Sequence, residues 1–148
     1  MPVISLTRLR VRALRFLPGF LWHAYRSQRQ LSGSPGFLRG SLATAPAWTF
    51  WTITAWTDEA AMKRYRDTDW HKAAMPRLLE YCDEASLARW TQDTADLPDA
   101  AALLERLKTS GRISKVRHPS PGHAAGQTVP DGQPPRPARV IRPHGSTS

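Results

Sequence analysis

Asparagine does not occur in this chain of 148 residues, cysteine occurs once, and no aspartate or glutamate precedes Asp58. The single cysteine, Cys82, excludes an internal disulfide framework and a cysteine-rich zinc site. It fits a reducing compartment, so a cytoplasmic protein is expected. No apolar run approaches the roughly 18 residues of a membrane-spanning helix, so no membrane span is expected. Zinc-type spacings, a phosphate-binding loop, a nucleophile elbow and a dinucleotide-binding glycine pattern are all missing.

The early lack of acid leaves residues 1–57 with seven arginines and a charge of +7. Residues 58–118 are balanced, and residues 119–148 add +2. Such asymmetry suits an anionic ligand, an acidic surface or a nucleic acid. It also resembles a mitochondrial transit segment, but the stretch is poor in serine and serves better as a strand.

What is present is alternation and helical spacing in a length that suits one domain. Residues 3–12 alternate, with Val3, Ser5, Thr7, Leu9 and Val11 on one face and Ile4, Leu6, Arg8, Arg10 and Arg12 on the other, which predicts a strand. Residues 14–31 carry Leu17, Phe20, Leu21, Ala24, Gln28 and Leu31 at helical spacing, with Pro18 tolerated in the first turn. Residues 37–44 read as a short strand in which Gly40 signals a bulge or a close backbone approach. Residues 47–56 (AWTFWTITAW) form a strand with large apolar groups on both faces. Helices on one side would leave its second face bare, so a second layer or a partner subunit is expected.

Thr57-Asp58-Glu59 starts a helix, and Thr68-Asp69 offers a second start. From there His71, Ala74, Met75, Leu78 and Cys82 share one helical stripe, and Pro76 predicts a kink or break near Met75. Residues 84–92 read as a last strand. A C-terminal helix follows over about 98–110, opened by Pro98 and stopped by Gly111. Residues 1–118 are therefore read as one domain. Residues 119–148 hold seven prolines and four glycines and no aromatic residue, and are read as a disordered tail.

Several residues could carry chemistry. His71 has a pKa suited to general base work or to donating to a substrate oxygen, or it could simply cap its helix. Trp51, Trp56 and Trp70 could stack on a flat polyene, polyketide or porphyrin, or could be core. Tyr65 could donate to such a ligand, with His23 and Tyr25 secondary. Arg8 and Arg10 could bind a carboxylate or phenolate, or line a solvated or interface face. Cys82 reads as a buried small hydrophobe. Arg117 and His118 could latch onto a partner.

The order strand-helix-strand-strand-helix-strand is the ferredoxin-like, split βαβ pattern of an α+β protein. Together, PGFLRGSL (35–42), FWTITAW (50–56) and WHKAAMPRL (70–78) resemble the dimeric α/β-barrel superfamily. Within it they resemble antibiotic biosynthesis monooxygenase-like proteins and the uncharacterised family related to spheroidene monooxygenase. The resemblance covers about residues 3–118. It implies a homodimer through the open sheet face, and a cavity between sheet and helices for a small hydrophobic or aromatic ligand. It implies a monooxygenase-like oxidoreductase working without cofactor or metal, or alternatively with haem; a non-catalytic ligand-binding or haem-binding accessory dimer is the rival. Cofactor-free quinone-forming members use an asparagine, which this chain lacks. In haem-degrading relatives a histidine occupies a position to which Met75 aligns more nearly than His71. RNA recognition shares the topology, but LRGSLATA (38–45) lacks the stacking rings, so no nucleic acid is expected.

Overall fold

In the computed structural model, which describes residues 1–143 and, of residues 69–71, 137 and 138, the backbone alone, the chain begins with β1 (Val3–Val11), a 3-10 turn (Leu14–Phe16), α1 (Leu17–Ser32), β2 (Phe37–Ala45) and β3 (Thr49–Trp56). It continues with α2 (Glu59–Arg66), α3 (Asp69–Tyr81), β4 (Cys82–Thr91), α4 (Ala100–Ser110), β5 (Arg112–Ile113), α5 (Pro121–Ala124) and β6 (Arg136–Ile141). The strands form one antiparallel sheet in the order β5-β4-β1-β3-β2-β6. Its four long strands and α1–α3 give the α+β ferredoxin-like order predicted above.

Local chemistry explains the boundaries. The Asp58 carboxylate accepts from Ala61 N at 2.8 Å, and Lys63, Arg64 and Arg66 close α2 at the negative end of its dipole. Asp99 caps α4 in the same way through Ala102 N at 2.9 Å. The bulge expected near Gly40 falls between Phe37 and Arg39. Gly40 itself pairs regularly with Thr54, and a Cβ there would sit 3.1 Å from the Ile53 carbonyl, so the close-approach reading of this glycine holds.

The second helix start expected at Thr68-Asp69 is present, and the break expected near Pro76 is not. Pro76 sits inside a continuous α3, and the break falls at Asp67-Thr68. There the carbonyls of Tyr65 and Thr68 accept from the Gln30 side-chain amide at 3.1 and 3.0 Å. Carbonyls freed at a helix end need such partners, and α1 supplies one at this point. Cys82, expected on the helical stripe, instead ends α3 and begins β4, where it is buried.

Helices α1–α3 cover the sheet face that carries Val3, Leu9 and Val11. The opposite face carries Ile4, Leu6, Trp51, Ile53, Ala55 and Ala88. It was expected to lie open for a second copy. It is instead sealed by the same chain, through Leu103 and Leu107 of α4 and Val129 of the C-terminal segment.

The segment expected to be disordered is described through residue 143 and holds that seal in place. Ser86 Oγ donates to the Thr128 carbonyl at 2.8 Å, and Thr128 Oγ1 donates to the Leu107 carbonyl at 2.9 Å. The buried His123 donates from Nε2 to the Ser114 carbonyl at 2.8 Å. β6 then pairs with the edge of β2, whose backbone groups would otherwise lack partners, and Ile141 joins the core. Proline-rich composition hid these anchors because each is a single residue in a polar run.

Candidate functional site

On the helical face the core is divided in two. One cluster joins Val3, Phe37 and Trp56 to Leu31, Ala61 and Met62. The other joins Val11, Leu9 and Phe50 to Phe20, Leu17, Leu78 and Tyr81. Between them strand alternation places Ser5 and Thr7 of β1, Thr52 and Thr54 of β3, and Arg89 of β4. Ser5, Thr7, Thr52 and Arg89 are only half-buried, so the floor between the clusters stays open to solvent. Threonine suits such a floor: its branched Cβ favours the strand, and its hydroxyl faces outward. The result is a polar gap between two apolar blocks beneath the helices.

Arg89 is the charged group of that floor, opposite Ser5 in register. Its Nε is buried without a hydrogen-bond partner among the described residues. Burial lowers its pKa, aided by Arg66 and Arg112 and opposed by Glu59 and Asp67. A desolvated guanidinium with a donor to spare is a receptor for a carboxylate or phenolate. The sequence reading missed it. The signal was an arginine sharing a strand face with Ala85 and Leu87, but alternation alone does not tell which face the helices cover.

Tyr65 stands at one end of this floor, over the buried Trp56. Trp56 is buried, donates from Nε1 to Thr54 Oγ1 at 2.9 Å, and packs 5.3 Å from the Tyr65 ring. Tyr65 donates its hydroxyl to the Ser27 carbonyl at 3.1 Å, and burial pushes its pKa up, so it stays protonated.

The other candidates are scattered. Trp51 is fully buried on the opposite face, and its Nε1 has no hydrogen-bond partner among the described residues. Arg8 and Arg10 also lie on that face, where this chain's own carboxylates hold them. Arg8 Nη1 donates to Glu84 Oε1 at 2.8 Å and Nη2 to Asp131 Oδ1 at 3.4 Å. Arg10 grips Asp83 with two bonds of 2.9 and 2.6 Å, and that grip raises its pKa. Met75 points outward from α3 and is 39% exposed. Trp70 and His71 fall in the first turn of α3, and their side chains lie outside the described residues. Arg117 and His118, expected to reach a partner, pair with Glu80 of their own chain at 3.4 and 3.8 Å. Cys82 is a buried hydrophobe whose thiol pKa is pushed up to about 12 by burial and by Asp83.

A cavity of about 390 Å³ opens on the opposite face, between β2, β3 and α4, walled by Ala43, Ile53, Leu97, Pro98, Leu103 and Val140. It has volume but little chemistry, because its charged neighbours are engaged: Arg39 pairs with Asp96 and Asp99 caps α4. The gap holding Arg89 is the better site.

The antibiotic biosynthesis monooxygenase family model matches residues 3–77. Among solved structures, SnoaB, a cofactor-independent oxygenase from Streptomyces nogalater, superposes with a TM-score of 0.53 at 20% identity, covering 66% of this chain and 98% of that one. A putative antibiotic biosynthesis monooxygenase from Caulobacter crescentus CB15 gives 0.56 at 14% identity, covering 63% and 91%. One from Nitrosomonas europaea gives 0.56 at 11%, covering 62% and 89%. At these identities the likeness concerns the fold. No curated protein matches the chain by sequence.

Proposed function

Because this chain belongs to the antibiotic biosynthesis monooxygenase family, we propose that it oxidises a hydrophobic aromatic or polyene compound in the gap between sheet and helices, without a cofactor. The observation that carries this reading is the half-exposed Arg89 guanidinium, which forms no ion pair among the described residues, on a polar floor between two apolar clusters. An acidic phenol-type substrate would lie over the Ser5, Thr7 and Thr52 floor beside Tyr65 with its oxygen at Arg89. The cation favours the phenolate, whose electron pair adds to O₂. Loss of water from the resulting hydroperoxide converts a ring CH₂ to a carbonyl, with O₂ as the oxidant. The apolar blocks on either side limit access of bulk water. His71, at the start of α3, is the proposed proton acceptor.

The described residues do not fit haem. Tyr65 spends its hydroxyl on Ser27, and Met75 faces outward, so neither offers an axial ligand to the gap. A homodimer stays part of the proposal, with α4 and the C-terminal segment at its interface, since the bare sheet face is covered. Sedimentation of the full chain reads this directly; a monomer at every concentration removes it.

The enzymatic test is O₂ uptake and product absorbance on a panel of polycyclic phenols. Arg89→Ala is expected to lower kcat/KM by about 100-fold, as losing a preorganised donor does. His71→Ala should lower kcat. No uptake with any phenol turns the reading to a non-catalytic binder, and unchanged turnover in His71→Ala removes the base from the mechanism.

A further inference from the structure

We propose that the outer face of α1 is a docking surface for an anionic lipid bilayer, on which the protein lies without spanning it. The helix fastens to the core through Phe20, Ser27 and Leu31. Its opposite stripe, with the turn before it, exposes Leu14, Leu21, Trp22 and Tyr25 to between 46 and 61%. Residues 18, 21, 22, 25 and 29 fall on one side of a helix. Leu14, Leu21, Trp22 and Tyr25 form an apolar stripe, whereas the other exposed large apolar residues, Met1, Trp48, Met75, Ile113 and Val140, are spread along the chain. Trp22 and Tyr25 lie 6.4 Å apart. Rings of this kind, apolar with one polar end, settle at the headgroup level of a bilayer.

Charge decides the partner. Residues 14–32 contain no acidic residue. Arg15 and Arg29 are exposed on the flank of the stripe, and the Arg26 guanidinium lies 4.9 Å from the Trp22 ring centre. α3 packs beside α1 and exposes Lys72 and Arg77. Arg77 is close enough to assist burial in lowering the His23 pKa. None of Arg15, Arg29, Lys72 and Arg77 forms an ion pair among the described residues. Where arginine serves the fold, it has an acid: Arg8, Arg10 and Arg12 meet Glu84, Asp83 and Glu80. Other cations, among them Lys108, Arg112 and Lys115, also lack an ion pair among the described residues, but Arg15, Arg29, Lys72 and Arg77 are those carried by α1, the turn before it and the helix packed beside it. A second copy docking here about a two-fold axis would set like charges against each other. A basic helix with tryptophan and leucine on its outer face instead suits an anionic membrane surface.

The test is flotation of the full-length chain with vesicles of phosphatidylcholine alone or mixed with phosphatidylglycerol. The chain should float with the anionic vesicles only, and salt should release it. Trp22→Ser should cut partitioning roughly tenfold, and Arg15→Gln or Arg29→Gln roughly fivefold each. Trp48→Ser, exposed on another surface, should change nothing. Circular dichroism checks that each variant is folded, and Leu21→Ser serves if Trp22→Ser is not. Four results overturn the proposal: no flotation, equal flotation on neutral vesicles, flotation indifferent to Trp22 and Leu21, or a Trp22-dependent association with RNA or a second copy by a chain that does not float.

Discussion

Arg8 and Arg89 stand on neighbouring strands, on opposite faces of one sheet; each keeps a buried Nε without a hydrogen-bond partner among the described residues, but only Arg8 has carboxylates to pair with. Arg8 is 1% exposed and meets two carboxylates, one of which, Glu84, also accepts from Ser120 at 2.8 Å. Arg89 is half-buried and forms no ion pair among the described residues. Arg8 helps hold the C-terminal segment down, because its second carboxylate, Asp131, comes from that segment. Arg89 leaves its helical face incomplete. One face is finished by the chain itself, and the other is left unfinished where a ligand can complete it. A charge fully matched within the chain is architecture; a charge left partly unmatched beside a gap is available for binding.

The largest expected effect lies on the finished face. Glu84→Ala strands the buried Arg8, and such losses cost about 3–5 kcal/mol, which denaturant unfolding would register. Leu107→Ala, fully buried beneath α4, should cost about 2–5 kcal/mol. If either loss is negligible, α4 and the C-terminal segment do not seal this face.

Effects on the helical face should be smaller in stability and larger in turnover. Thr54→Val deprives the buried Trp56 Nε1 of its acceptor and should cost about 1 kcal/mol. A loss as large as that of Glu84→Ala would erase the contrast between the faces.

The smallest effect is electrostatic. Burial, then Arg77, lowers the His23 pKa below 6.5. The folded state thus prefers the neutral ring. That contribution is fully present above 6.5 and fades as pH falls toward the lowered value. Thermal melts should show wild type losing slightly more stability than His23→Gln between neutral and mildly acidic pH.

Much of this was legible in the sequence. Period-2 alternation marked the strands, and Asp58 and Pro98 announced their helices. Alternation also separated Trp51 from Trp56, and Arg8 from Val11. What it could not show is which of two equally apolar faces the helices would take, so Trp51, Arg8 and Arg10 were grouped with Trp56 and Tyr65 across the thickness of the sheet. The acids that hold Arg8 and Arg10 lie 73 to 123 positions away, beyond any local pattern. Pro76 was given too much weight, because a helix tolerates one missing donor when its neighbours hold it. The C-terminal segment was misjudged by averaging, since Ser120, His123, Thr128 and Ile141 act singly.

The 123-residue separation between Arg8 and Asp131 also sets a timetable. β1 is the central strand, yet it leaves the ribosome before either neighbouring strand exists. At the usual pace of about 5–20 residues per second, the Arg8 guanidinium waits about 6–25 seconds for its second carboxylate. Through that interval Ile4 and Leu6 have no cover from α4 or Val129. A nascent chain stalled before residue 103 would carry a sticky half-built sheet, and holding chaperones would find it there. Emergence of α4 and of the segment around Val129, rather than closure of a helix on the other face, is what covers Ile4 and Leu6.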